Sequence, residues 1–147
     1  MIERKIFLLV ILLVLLYSIK TKKNTSIIFS TLLFLGVLST FFGNTITTIG
    51  LITFILTAFF IGIRGVFLKL NNLEKISYST LGLFSFIGLL FAIMNWPGTN
   101  RLKLLMFFPI IIFILINFKN KFNFVKTYPF LLILFFECLF RFLRLLY

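Results

Sequence analysis

The chain has 147 residues, 61% of them apolar, 19% aromatic and 12% charged, with a mean hydropathy of +1.18. A soluble domain carries about 25% charged residues, and a disordered tail needs low hydrophobicity, so both classes are excluded. The net charge of +12 arises from 15 Lys and Arg against three acids; these fall in short clusters between apolar runs, which fits membrane flanking and not a nucleic-acid stripe.

The chain therefore reads as all-α: a polytopic integral membrane bundle of about six short transmembrane helices with no soluble domain. The spans fall at about residues 6–19, 27–42, 46–67, 76–94, 102–118 and 129–146. The third and fourth runs suit a bilayer span of about 20 residues, and the second, fifth and sixth are short. The first is too short unless Lys5 and Lys20 snorkel. It ends in Tyr17-Ser18-Ile19-Lys20, without the small-x-small site of a cleaved signal peptide, and reads as a retained helix, with a signal anchor as the alternative.

Phe42-Gly43-Asn44-Thr45 joins runs two and three with turn residues and no charge. On the third run Gly50, Thr53 and Thr57 share one face. On the fourth, Ser85, Gly88, Ala92 and Asn95 recur at spacing 3, 4, 3, and Gly88 with Ala92 makes a small-xxx-small pair. Helices in lipid pack through such residues, so both faces are expected to make close contacts, within the chain sooner than between copies. At an offset of 52 residues, Lys23, Phe34, Gly36 and Leu38 match Lys75, Phe86, Gly88 and Leu90. The match suggests two related hairpins, runs two–three and four–five, although biased composition produces such matches by chance.

Asn95-Trp96-Pro97-Gly98 follows the fourth run. Pro97 biases the preceding residues away from helix, Gly98 permits a tight turn, and Trp96 suits the membrane interface. All four tyrosines (Tyr17, Tyr78, Tyr128 and Tyr147) likewise fall at span ends, where their rings prefer the headgroup level. Pro109 predicts a kink in the fifth run, crowding the carbonyl of Leu105. Pro129 opens the sixth run, where a missing N–H costs little.

Chemistry-bearing residues are few. There is no histidine, the acids are Glu3, Glu74 and Glu137, and Cys138 is the sole cysteine. Neither a metal site nor a His-based catalytic device can be assembled from them, so the expectation is a non-enzyme with no metal or cofactor. Glu137 lies mid-run, where an unpaired charge costs about 2.5–3.5 kcal/mol. Arg141 stands four residues on, in the favourable order, and Arg144 follows on the same face. Arg64, from the third run, is a further candidate partner. The plain reading is a structural ion pair; the sharper one is a proton or cation relay, which normally needs more acids or histidines.

Lys20, Lys22, Lys23, Lys69, Lys75, Lys119, Lys121 and Lys126 belong to the first, third and fifth links, while Arg4, Lys5, Arg101, Lys103, Arg141 and Arg144 lie on the opposite side. The lysine-rich links are then cytoplasmic and both termini outside; Arg4 and Lys5 argue for the reverse.

Residues 82–100, containing Gly88 and Met94-Asn95-Trp96-Pro97-Gly98-Thr99-Asn100, resemble the first transmembrane helix and turn of the GldL family. GldL is the inner-membrane motor subunit of gliding motility and type IX secretion in Bacteroidetes. Residues 102–118 would correspond to its second helix. Asn95 stands where that family has His, and the fifth run lacks the family's membrane glutamate. The resemblance implies a related hairpin module and a bacterial inner-membrane setting, not motor activity. The leading expectation is a small scaffold or accessory subunit whose partners are the lipid bilayer and other membrane proteins or a second copy, with no nucleic acid. The alternative is a small transporter or channel using Glu137, Arg141 and Arg64; a lipid-acting enzyme comes third.

Overall fold

The computed structural model describes residues 2–146, with side chains at 5–43 and 45–145. Glu3, Arg4 and Tyr147, invoked above for charge placement and the aromatic belt, lie outside the described side chains. The described residues are helical throughout, joined by short turns, with no strand among them. Helix α1 spans Ile2–Lys20, α2 Asn24–Leu38, α3 Asn44–Phe67 and α4 Asn72–Ile93. A single 3-10 turn, Ser39–Phe41, extends α2. Then follow α5 (Thr99–Leu105), α6 (Phe107–Lys119), α7 (Asn123–Thr127) and α8 (Leu131–Leu146).

Helices α2, α4 and α5 begin three or four residues before the apolar runs that predict them, at Asn24, Asn72 and Thr99. The first four N–H groups of a helix have no partner inside it, so the first turn tolerates polar residues that hydropathy discards. Glu74 in the first turn of α4 also suits the positive end of the helix. Helix α1 is longer than its apolar run because residues 2–5 continue it. The loop expected after the fifth run contains the single turn α7.

The fifth run breaks where Pro109 predicts. Helix α5 stops at Leu105, Met106 forms the joint, and α6 resumes at Phe107. Proline four residues on supplies no N–H for the Leu105 carbonyl. At the other end of this hairpin, Asn95 takes a left-handed conformation (φ 48°), and the Trp96 N–H donates to the Phe91 carbonyl at 3.2 Å. That is a Schellman ending, in which asparagine is an accepted substitute for glycine. Gly98 (φ 94°) then reverses the chain into α5.

Each long helix packs on its neighbour in sequence, and α8 returns to α1 to close a ring, with α4 also touching α8. The most extensive contact is α3 on α4. A Cβ at Gly82 would fall on the Gly62 backbone and 2.8 Å from the Ala58 carbonyl oxygen, and one at Gly65 would lie 2.6 Å from the Tyr78 ring. Only hydrogen at these positions lets the backbones approach this closely. Around this core the outer surface is apolar. Leu9, Ile49, Phe60, Leu115 and Phe118 are exposed, and Phe67 is 80% exposed. Such a surface is that of a protein solvated by lipid.

Among the described residues four stretches are long and apolar enough to cross a membrane: Asn24–Phe41, Thr45–Phe67, Asn72–Ile93 and Thr99–Lys119. The fold is thus all-helical and multi-pass by length and composition. Helices α1 and α8, expected as first and sixth spans, do not reach that measure. The first turn of α1 is charged, and α8 has 16 residues carrying Glu137, Arg141 and Arg144.

The aromatic belt is partly redrawn. Trp96 and Tyr17 are exposed at 44% and 40%, but Tyr78 is fully buried. Its ring meets those of Tyr128 (5.3 Å between centroids) and Phe130 (5.8 Å). It sits nearly two turns into α4 and faces the bundle.

Candidate functional site

Glu137 and Arg141 lie one turn apart on α8 and form an ion pair, Arg141 Nε donating to Glu137 Oε1. Arg141 Nη1 also donates to the Gly88 carbonyl of α4 at 2.9 Å. Gly88 has no side chain to obstruct this reach, and a Cβ there would sit 3.5 Å from Arg141 Cδ. One turn back, the Ser85 hydroxyl meets the buried Cys138 thiol at 3.4 Å. The small-residue face of α4 is therefore the receiving surface for the polar stripe of α8.

Glu137 is only 7% exposed, and its second oxygen, Oε2, has no hydrogen-bond partner among the described residues. It lines a cavity of about 220 Å³. Phe7, Val37, Leu51, Phe54, Leu89 and Phe140 make its walls apolar, and Thr40, Thr47, Arg141 and Arg144 add polar groups. The arrangement is a buried carboxylate beside an amphipathic hollow, with one oxygen clasped by arginine and the other without a partner among the described residues. A buried carboxylate oxygen demands a donor, so a water molecule or a donor group on a ligand suits it.

Arg64 does not join this group. Its guanidinium donates to the Thr25 hydroxyl at 3.4 Å and lies 5.6 Å over the Phe29 ring, at the end of the bundle that carries the lysine-rich links. Arg64 was a candidate partner for Glu137, but it lies in the last turn of α3, and ten residues beyond the cavity-lining Phe54 give a rise of about 15 Å. Arg144 lines the Glu137 cavity and is exposed at its edge.

Of the packing residues, Ser85 and Gly88 are buried, whereas Ala92 and Asn95 are exposed. Met106, at the joint of α5 and α6, packs against Gly88, and the last turn of α4 leads out to the reversal. On α3, Gly50 is buried against Gly36 and Ser39 of the α2 end, and Thr57 is buried with its hydroxyl on the Thr53 carbonyl at 2.7 Å. Thr53 bonds the Ile49 carbonyl at 2.9 Å and is half-buried. The tightest seam instead uses Ala58, Gly62 and Gly82. The Ala58-xxx-Gly62 spacing was present in the sequence as its signal. Of the matched positions of the 52-residue offset, Gly36 faces Gly50 and Phe54 of α3, whereas Gly88 faces Met106 and Arg141.

Three further polar bridges are not evident from the sequence. Ser18 and Ser30 join α1 to α2 at 2.9 Å in a buried contact. Asn117 donates to the Phe113 carbonyl and accepts from the Val125 N–H, tying α7 to α6. Asn120 donates to Glu74, joining the end of α6 to the start of α4. Beside them, burial first and then the Glu74 charge push the Tyr128 phenol up, keeping it protonated. Among the described residues no three His, Cys, Asp or Glu side chains gather as for a metal.

Comparison with family models, with curated proteins and with solved structures finds no match.

Proposed function

We propose that the chain is a small scaffold or accessory subunit of a bacterial inner membrane, with all six apolar runs in the bilayer and the lysine-rich links on the cytoplasmic side. In this reading α1 and α8 are the two short members, held at depth by their neighbours, and the α4–α5–α6 hairpin is a GldL-like module. No catalytic role is assigned to any residue.

The observation that carries the reading is the use made of Glu137. Its partner Arg141 holds the α4 backbone at Gly88, so the buried charge is spent on joining helices. A relay would need a succession of titratable groups, and the two other acids in the chain are Glu3 and Glu74. The test is Glu137→Gln in host membranes and in proteoliposomes. A scaffold loses abundance and shows no ion flux above that of empty vesicles. Normal abundance, with a flux in the native chain that the variant abolishes, contradicts it.

One observation favours a second reading, a small transporter or channel: Glu137, whose Oε2 has no hydrogen-bond partner among the described residues, lines a cavity. Such a path would use Glu137 and Arg141 without Arg64. The same flux measurement separates the two.

A further inference from the structure

A second cavity, of about 430 Å³, opens at the lysine-rich end of the bundle. Lys22, Lys23 and Arg64 line it and no carboxylate is among its lining residues, although the Glu74 charge acts on the lining Tyr128. Among the described residues the one carboxylate–cation pair is Glu137–Arg141, which belongs to the other cavity. Three positive charges are therefore gathered around one hollow with no counterion in its lining, and Glu74 is engaged by Asn120.

Backbone geometry adds to this charge. Lys22 is held in a left-handed conformation (φ 53°) that turns the chain between α1 and α2. Lys23 then occupies the cap position of α2 in an extended conformation, and no side chain caps the helix. Asn24, Thr25 and Ser26, which all line the cavity, form the first turn of α2, whose amides lack acceptors within the helix. The positive end of a 15-residue helix thus faces the same hollow as the cations. Arg64 is fixed there by the Thr25 hydroxyl and the Phe29 ring. Leu68 and Phe130 supply an apolar flank.

We propose that this cavity binds a phosphate group, held by Lys22, Lys23, Arg64 and the α2 amides, and that an anionic phospholipid supplies it. Helix N-termini joined to basic side chains are general phosphate sites. The cavity lies at the first residues of one candidate span, Asn24–Phe41, and near the last of another, Thr45–Phe67, which is headgroup depth. Basic pockets between helices at that level select anionic lipid heads. This site is separate from Glu137 and stands whether the chain is a scaffold or a transporter.

The experiment uses the full chain in phosphatidylcholine nanodiscs, with and without phosphatidylglycerol, and scores retained lipid by native mass spectrometry. The expected result is selective retention of phosphatidylglycerol. Lys22→Gln with Lys23→Gln weakens that selectivity about fivefold per cation removed, and Arg64→Gln does the same. Lys119→Gln with Lys121→Gln, an equal charge change at exposed residues outside the cavity, leaves it unchanged. Equal loss in the control pair overturns the proposal in favour of diffuse surface charge. In a parallel arm, inorganic phosphate or glycerol 3-phosphate is added to phosphatidylcholine discs. Saturable binding there, without selectivity for phosphatidylglycerol, overturns the lipid as the source. If Arg64→Gln fails to fold, the two lysine pairs still decide the matter.

Discussion

Helix α4 is held on one side by α3 and on the other by α8, and the two contacts are built differently. Against α3 it presents Gly82 to Gly62, and the backbones meet with almost nothing between them. Against α8 it presents Gly88, but here the missing side chain makes room for Arg141, which bonds the α4 carbonyl and pairs with Glu137. The first contact is dispersion at close range; the second is a charged clasp in a surrounding of low polarity. Glycine serves both, once for proximity and once to leave a carbonyl open.

The comparison can be broken at either contact. Arg141→Ala should have the largest effect, about 3–5 kcal/mol, because it leaves Glu137 buried without its counterion; unfolding in mixed micelles measures it. Gly82→Ala should cost about 1–3 kcal/mol by forcing α3 and α4 apart, since the atoms it meets are backbone and cannot step aside. Tyr78→Phe, in the same seam, should stabilise the chain by about 1 kcal/mol. Its hydroxyl is buried without a partner among the described residues, and removing such a group relieves a desolvation cost. Gly88→Ala should be the mildest, below about 1 kcal/mol, because the nearest obstacle is the flexible end of Met106. An equal loss in Gly82→Ala and Gly88→Ala would erase the distinction between seam and clasp.

Much of this was legible in the sequence, for identifiable reasons. Hydropathy finds the helices because lipid solvation demands long apolar runs, and Pro109 marks its break because a missing donor acts locally. The Glu137–Arg141 pair is legible for the same reason, being one turn apart on one helix. Arg64 was misjudged as a partner because its location depends on how α3 lies against α2, which no local spacing records. Tyr78 was misjudged because its depth in the chain is readable but the face it turns to the bundle is not. The Gly62–Gly82 seam was also missed. Small-residue spacings recur on several faces, and only packing decides which of them meet. The basic cavity likewise needs α1, α2, α3 and the α7–α8 link in place before its cations converge.

The claim on which the functional reading turns is that the buried Glu137–Arg141 pair fastens α8 to α4. The direct measurement is a double-mutant cycle on Glu137→Leu and Arg141→Met, read as unfolding free energy in mixed micelles. The account predicts that each single variant loses about 3–5 kcal/mol and that the double variant returns to within about 1 kcal/mol of the native chain. A double variant that loses the sum of the two would contradict it.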